Sequence, residues 1–283
     1  MIIFFEYALA TNCREFIKEG KMMFDKLLID FLKMDEVLTI LDKGLFKEYK
    51  KFDNLNIIKC NGNLESIIKD LDNIDYFLVI APEEDNILYN LTKILEDKGI
   101  NLGSSPEGIR IAGDKYLTYK VLKDYVRVPK LIPLGKYVVK KRDGCGGKIN
   151  IFDENYIVQE FVRGESLSAS FIVNKNKTYF LSLNRQYIDD GFKGADVNID
   201  HKLKDRIIEE CERAIKRIEG LNGYIGVDLI VNNEDIYIIE INPRITTTVY
   251  GLEINPSLPN LLIKNAKNEE LKYSVRGKSF MVK

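Results

Sequence analysis

The chain has 283 residues, with 42 Lys and Arg against 43 Asp and Glu and a formal net charge of −1. That length suffices for two or three lobes with a large core, and the balanced, interspersed charge gives no reason to bind nucleic acid or an anionic membrane. One histidine, His201, and four scattered cysteines without a CxxC pair (Cys13, Cys60, Cys145, Cys211) exclude a histidine-rich metal site and argue against zinc or a disulfide framework.

The opening "MIIFFEYA" reads as an apolar strand; it lacks a basic flank and is too short for a signal peptide. No later apolar run approaches the roughly 20 residues that span a bilayer, so a cytoplasmic protein is expected. "NCREFIKEGKMMFDKLLIDFLK" has helical spacing. "EVLTILD", "LNIIKC" and "DYFLVIA" are short strands, with "GNLESIIKDL" a helix between the last two. "NILYNLTKILEDKG" is a helix with a glycine stop, followed by "INLGSS". This βαβ alternation predicts an open parallel sheet with helices on both faces, forming a first lobe over residues 1–105.

"GDKYLTYKVLKDY" is a helix whose N-cap is Asp114. The proline-flanked "RVPKLIPLG" leads to the strand "KYVVKKRD", a glycine cluster and a further strand, "YIVQEFV". These make a small α+β lobe over residues 106–162. Beyond Gly164, "SLSASFIVN" and "KTYFLSLNRQYI" pair as antiparallel strands, and the helix "LKDRIIEECERAIKRIEG" precedes a hairpin. They form a larger antiparallel α+β lobe over residues 163–283, with a cleft between the two. The stretch "NIDHKLKDR" around His201 reads as a solvated helix start, so a histidine-assisted nucleophile is not expected.

Three groups carry chemistry. In "VVKKRDGCGGK" a strand delivers Lys140, and Gly144, Gly146 and Gly147 form a loop whose N–H groups can wrap phosphate, although no Walker A pattern is present and a plain hairpin turn reads equally well. In "VQEFVRGES" an extended segment can offer backbone groups to an adenine edge, or serve simply as an interlobe connection. The strongest signal is the hairpin "YIGVDLIVNNEDIYIIEINPR", which carries Asp228, Glu240 and Asn242 inside apolar strands, with Glu240 and Asn242 pointing one way and Ile239 and Ile241 the other. Two carboxylates about 5 Å apart repel by roughly 3 kcal/mol at an effective dielectric of about 20. Without a cation one would be protonated, and Asp, Glu and an Asn carbonyl are the oxygen donors magnesium prefers. A shared site requires Asp228 opposite Glu240 and Gly226 opposite Asn242. That needs a three- or five-residue loop around Glu234, pairing Val231 with Tyr237, or a bulge with the same effect.

The order "DK" (Asp114, Lys115), "VVKKRDGCGG", "VQEFVRGE", "GVDLIV" and "IIEINPR" resembles the ATP-grasp enzymes over roughly residues 105–265. The resemblance implies an ATP-grasp fold, with the βαβ lobe as its N-terminal domain. It implies that Lys115 and Lys140 contact ATP phosphates and that Gly144, Gly146 and Gly147 form the phosphate lid. Glu160 and Val162 would offer backbone to adenine, and Glu165 would hold the ribose. Asp228, Glu240 and Asn242 would bind magnesium, or manganese in its place, and Arg244 would stabilise the transferring phosphoryl group or the substrate carboxylate. The implied reaction activates a carboxylate as an acylphosphate, which an amine displaces.

Within the family, "FFEYA" and "NPRITTTVYGLE" resemble archaeal carboxylate–amine ligases of methanofuran biosynthesis, which implies the glutamate side chain as acid and tyramine as amine. Arg185, in "SLNRQYIDD", is then the candidate partner for a substrate carboxylate, and Tyr187 and Tyr250 could line an aromatic pocket. Family analogy also implies a homodimer acting on small molecules. Two alternatives stand: another amino-acid or peptide ligase, and a nucleotide-binding regulator without turnover.

Overall fold

The structure, a computed structural model, describes residues 1–140, 149–153 and 155–282. The expected lid residues Gly144, Gly146 and Gly147, with Cys145, lie outside the described residues, as does the side chain of Lys140.

The first lobe runs β1 (Ile2–Glu6), α1 (Tyr7–Thr11), α2 (Ile17–Leu32), β2 (Val37–Asp42), α3 (Phe46–Tyr49), β3 (Leu55–Cys60), α4 (Leu64–Lys69), β4 (Tyr76–Ile80), α5 (Ile87–Leu95) and β5 (Ile100–Asn101). Its strands form one parallel sheet in the order β3-β2-β1-β4-β5. Alternate residues of β1 serve opposite faces: Ile2 and Phe4 pack with Phe24, Leu27 and Phe31 of α2, whereas Ile3 and Phe5 pack with Leu91 and Leu95 of α5. The sequence expects one long helix from Asn12; that helix, α2, starts only at Ile17, and a short extra helix, α1, precedes it where the strand was expected to continue. The Glu6 carboxylate accepts the Leu9 N–H at 2.8 Å and starts α1 directly after the strand. Asn12, at φ 57°, then closes it.

Next come α6 (Pro106–Gly113), α7 (Lys115–Leu122), β6 (Tyr137–Lys140) and β7 (Ile149–Phe152), the last two an antiparallel pair. Asp114 caps α7 as expected, accepting from the N–H groups of Tyr116 and Leu117. "YIVQEFV" is not a strand. It is an extended segment tied to residues 130–132 by Ile132 N–H to Val158 C=O, Glu160 N–H to Lys130 C=O, and one bridge between Leu131 and Gln159. Pro129 and Pro133 flank that partner and lack N–H donors, so the ladder cannot extend.

The second half runs β8 (Glu165–Val173), β9 (Thr178–Ile188), β10 (Phe192–Asp196), α8 (Lys204–Ile215), β11 (Gly223–Asn232), β12 (Asp235–Asn242), a 3-10 turn (Thr247–Gly251), β13 (Leu252–Asn255), α9 (Leu258–Ala266), β14 (Ser274–Gly277) and β15 (Phe280–Met281). Six of these strands build an antiparallel sheet in the order β12-β11-β8-β9-β10-β15. One face buries Leu167, Val227 and Leu229 against Ile207 and Cys211 of α8. On the other face, Ile172 and Tyr224 join α9 and the α2 side of the first lobe. Among the described residues no helix is long and apolar enough to cross a membrane.

Candidate active site

The hairpin achieves its required register with a bulge. Its turn is Asn233-Glu234, closed by the pair Asn232–Asp235, with Asn233 in the left-handed region at φ 56°. Val231 therefore opposes Ile236, not Tyr237, and the pairing continues to Leu229 with Ile238. Ile239 is then skipped, and Asp228 faces Glu240 while Gly226 faces Asn242. A two-residue turn alone would send Glu240 to the α8 face; one extra residue restores it. Ile238 and Ile241 stay buried, whereas Ile239, expected to point away from Glu240, lines the same cavity as the two carboxylates.

That cavity measures about 450 Å³. Asp228 accepts from Gln186 Nε2 at 2.9 Å and from Asn242 Nδ2 at 3.1 Å. Burial pushes the Asp228 carboxyl well above the usual carboxylate range, and the charge of Glu240 adds to the shift. Lys115 sets its ammonium 2.9 Å from Glu240 Oε2. Burial pulls that ammonium down, but Glu240, with the charges of Glu83 and Asp228, outweighs it and the Lys115 pKa is raised. Arg244 leaves the end of β12 toward the first lobe: its Nη2 donates to Glu83 Oε2 at 3.0 Å, and its Nε lies 2.9 Å from Oε1.

Glu83 and Glu6 are among the residues the sequence reading missed, as are Gln186 and Glu19 of the cavity lining. Glu6 and Glu83 each follow an apolar parallel strand, Glu6 at the end of β1 and Glu83 just past β4. These strands neighbour each other, and the sheet order reverses between them, so their carboxyl ends open the crevice where ligands of such sheets bind. The signal was available in "FFEYA" and "VIAPEE". Gly20 of α2 makes room for Glu6, since a Cβ there would come within 2.5 Å of its carboxylate.

Other expected residues fall elsewhere. Arg185 pairs across the sheet with Leu167, while Gln186 turns to Asp228, so Arg185 lies on the α8 face. There its Nε donates to Glu165 Oε1 at 2.7 Å, and His201 Nε2 lies 3.4 Å from the other Glu165 oxygen. Neither Arg185 nor Glu165 lines the cavity. His201 accepts the Leu203 N–H on Nδ1 and so helps start α8. Tyr187 donates to Asp196 and Tyr250 packs edge-on to Phe280, so no aromatic pocket forms from this pair. Glu160 spends its N–H on Lys130, which leaves its carbonyl for a ligand, and Phe161 beside it is 86% exposed.

Among the described residues, no group of three His, Cys, Asp or Glu is placed to hold a metal ion. Asp228, Glu240 and the Asn242 amide nevertheless fit magnesium: all can supply oxygen, and burial together with the facing Glu240 raises Asp228, which a bound cation would offset. Such a sparse set is the magnesium pattern in which substrate phosphates complete the coordination.

The ATP-grasp domain model matches residues 112–248, and the pre ATP-grasp 3 domain model matches residues 36–109. The chain is 58% identical over its full length to tyramine–L-glutamate ligase of Methanocaldococcus jannaschii, covering 94% of that protein. It is 57% identical to the enzyme of the same name from Methanocaldococcus fervens, covering 99% of it. The chain belongs to the ATP-grasp family. A solved ATP-grasp superfamily protein from Archaeoglobus fulgidus superposes with a TM-score of 0.77 at 30% identity, covering 99% of this chain and 98% of that one. N5-carboxyaminoimidazole synthetase of Staphylococcus aureus shares the fold alone, with a TM-score of 0.68 at 15% identity. The expected ATP-grasp fold, a parallel N-terminal sheet followed by antiparallel α+β lobes, is the one observed.

Proposed function

We propose that the protein joins the side-chain carboxylate of glutamate to tyramine, consuming ATP and releasing ADP and phosphate. The observation that carries this reading is the full-length 58% identity to the M. jannaschii ligase. The retained charges of the hairpin cavity support turnover over a silent regulatory role, and Phe192 and Ile188 add apolar lining suited to a phenethyl group.

A carboxylate is anionic and resists attack by an amine. In the proposed reaction a carboxylate oxygen attacks the γ-phosphorus of ATP and ADP leaves. The amine nitrogen then attacks the acyl carbon, the C–O bond to phosphate breaks, and the amine proton passes to solvent. The chain's task is to collect negative charge and hold it in line. Lys115 and Arg244 supply fixed cations, Glu83 orients Arg244, and Gln186 and Asn242 fix the Asp228 carboxylate. Magnesium, held by Asp228, Glu240 and Asn242, would neutralise the triphosphate. The carbonyl of Glu160 and the backbone of Val162 are assigned to adenine, Lys140, Gly144, Gly146 and Gly147 to the phosphates, and Glu165, at the start of β8, to the ribose. Among the described residues no cysteine or histidine lines the cavity, in keeping with a reaction that uses no covalent enzyme intermediate. Cys211 is buried, and burial raises its thiol pKa above the ordinary value. The lobes 1–105, 106–162 and 163–283 and a homodimer complete this reading.

The test is a coupled assay of ADP release with magnesium, glutamate and a panel of amines, scored by product mass. Tyramine should give the amide with one ADP per product. Product from an unrelated amine but none from tyramine would reject the substrate assignment.

A further inference from the structure

The other ionic groups of the cavity have partners or an assigned role: Arg244 pairs with Glu83, Glu240 with Lys115, and Asp228, held by two amide donors, is assigned to magnesium. Glu19 is different. It stands in the first turn of α2, lines the cavity from the first lobe, and accepts the Thr247 hydroxyl on Oε2 at 2.6 Å. Among the described residues no cation lies within ion-pair distance of it. Beside Thr247 the cavity wall is rich in hydroxyls: those of Ser170, Thr246 and Thr248 gather on the Tyr224 hydroxyl at 2.8 to 3.2 Å. An aimed carboxylate without a counter-charge favours a cationic ligand group.

We infer that Glu19 binds the α-ammonium of the glutamate substrate and keeps it protonated; this rests on the glutamate–tyramine reading. Two substrates carry ammonium groups, and chemistry separates them. The attacking amine must shed its proton, and a bare carboxylate beside it would hold that proton in place. The α-nitrogen of glutamate must keep its proton. If neutral, it attacks its own activated side-chain carbon, closing a five-membered ring as phosphate leaves and its proton passes to solvent; the product is 5-oxoproline and the ATP is wasted. Intramolecular closure of this kind is fast unless geometry and charge prevent it. Reach fits as well. Thr247 lies three residues beyond Arg244, a span of at most about 10 Å, so one small amino acid can place its side-chain carboxylate near Arg244 and its ammonium near Glu19.

The experiment compares wild type and Glu19→Gln, which keeps a hydrogen-bond acceptor for Thr247 and loses the charge. Glutamate and glutarate are used as acids, with tyramine, ATP and magnesium. The preference in kcat/KM for glutamate over glutarate should fall at least tenfold, through KM for glutamate, with KM for tyramine unchanged. Without tyramine, Glu19→Gln should release phosphate and 5-oxoproline, and Glu19→Asp should suppress both in part. Thr247→Val should move both readouts the same way by less, and serves if Glu19→Gln does not fold. An unchanged preference with no 5-oxoproline, or a rise confined to KM for tyramine, would overturn the inference while leaving the reaction in place. No amide from the wild type would overturn the substrate reading and this inference with it.

Discussion

Asp228 is asked to be a charged metal ligand in a place where burial and Glu240 both favour its protonated form. Only a cation resolves that conflict, so Asp228→Asn and Glu240→Gln should each cut turnover by at least about a hundredfold, the scale of losing one electrostatic stabiliser. The thermal midpoint should stay near that of the wild type, because the Asn and Gln amides keep the packing. Normal turnover at saturating magnesium in either variant would remove these residues from the site. Glu6 offers a separate test. Burial raises its carboxyl from the ordinary 4.5 to about 7, against the pull of the Ala8 and Leu9 N–H groups and of Arg244. The folded chain therefore binds a proton that the unfolded chain has lost between these values, so stability falls as pH rises from about 4.5 through about 7. The loss is at most about 3 kcal/mol. Calorimetry of Glu6→Gln across this range should show a shallower fall than the wild type, the Asp228 share remaining; parallel curves for the two proteins would show that Glu6 does not titrate there.

At the scale of elements, the hairpin shows what could be read from sequence and what could not. The carboxylates on one face were legible from residue type, and a bulge was one of two devices that could place them there. Its position was not legible. Asn233-Glu234 closes a tight turn by local backbone preference, and the correction falls at Ile239, where the strand gains a cavity-lining apolar side chain. Ile239→Ala should raise KM for ATP by roughly five- to thirtyfold, the worth of about 1 to 2 kcal/mol of apolar contact, with kcat little changed. Gly226 tests the same register from the opposite strand. A Cβ there would lie 2.7 Å from Thr246 Cγ2, so Gly226→Ala should cost about 1 to 3 kcal/mol in chemical denaturation and impair turnover through the displaced Thr246. Wild-type stability and activity would contradict the close approach. Strand misreadings had local causes: prolines on the partner segment starve "YIVQEFV" of ladder bonds, and α6 went unread although Ser105 and Pro106 mark its start.

For the whole molecule, the cavity belongs to no single lobe. Arg244 crosses from the antiparallel sheet to Glu83 of the first lobe, and Thr247 crosses to Glu19. Such contacts join residues far apart in the chain, so motif order could suggest Arg244 but could not reveal its partner. The same limit misplaced Arg185, whose face depends on strand pairing and whose charge is taken by Glu165. Glu83→Gln leaves a largely buried guanidinium without its counter-charge and should cost about 3 kcal/mol in stability, together with a lower kcat. The decisive measurement concerns the reaction for which this cavity is proposed. Glutamate labelled with ¹⁸O in its side-chain carboxylate is incubated with tyramine, ATP and magnesium, and the released phosphate is weighed by mass spectrometry. One labelled oxygen per phosphate, matched to one amide formed, is the predicted result; amide formed with unlabelled phosphate would contradict activation through an acylphosphate.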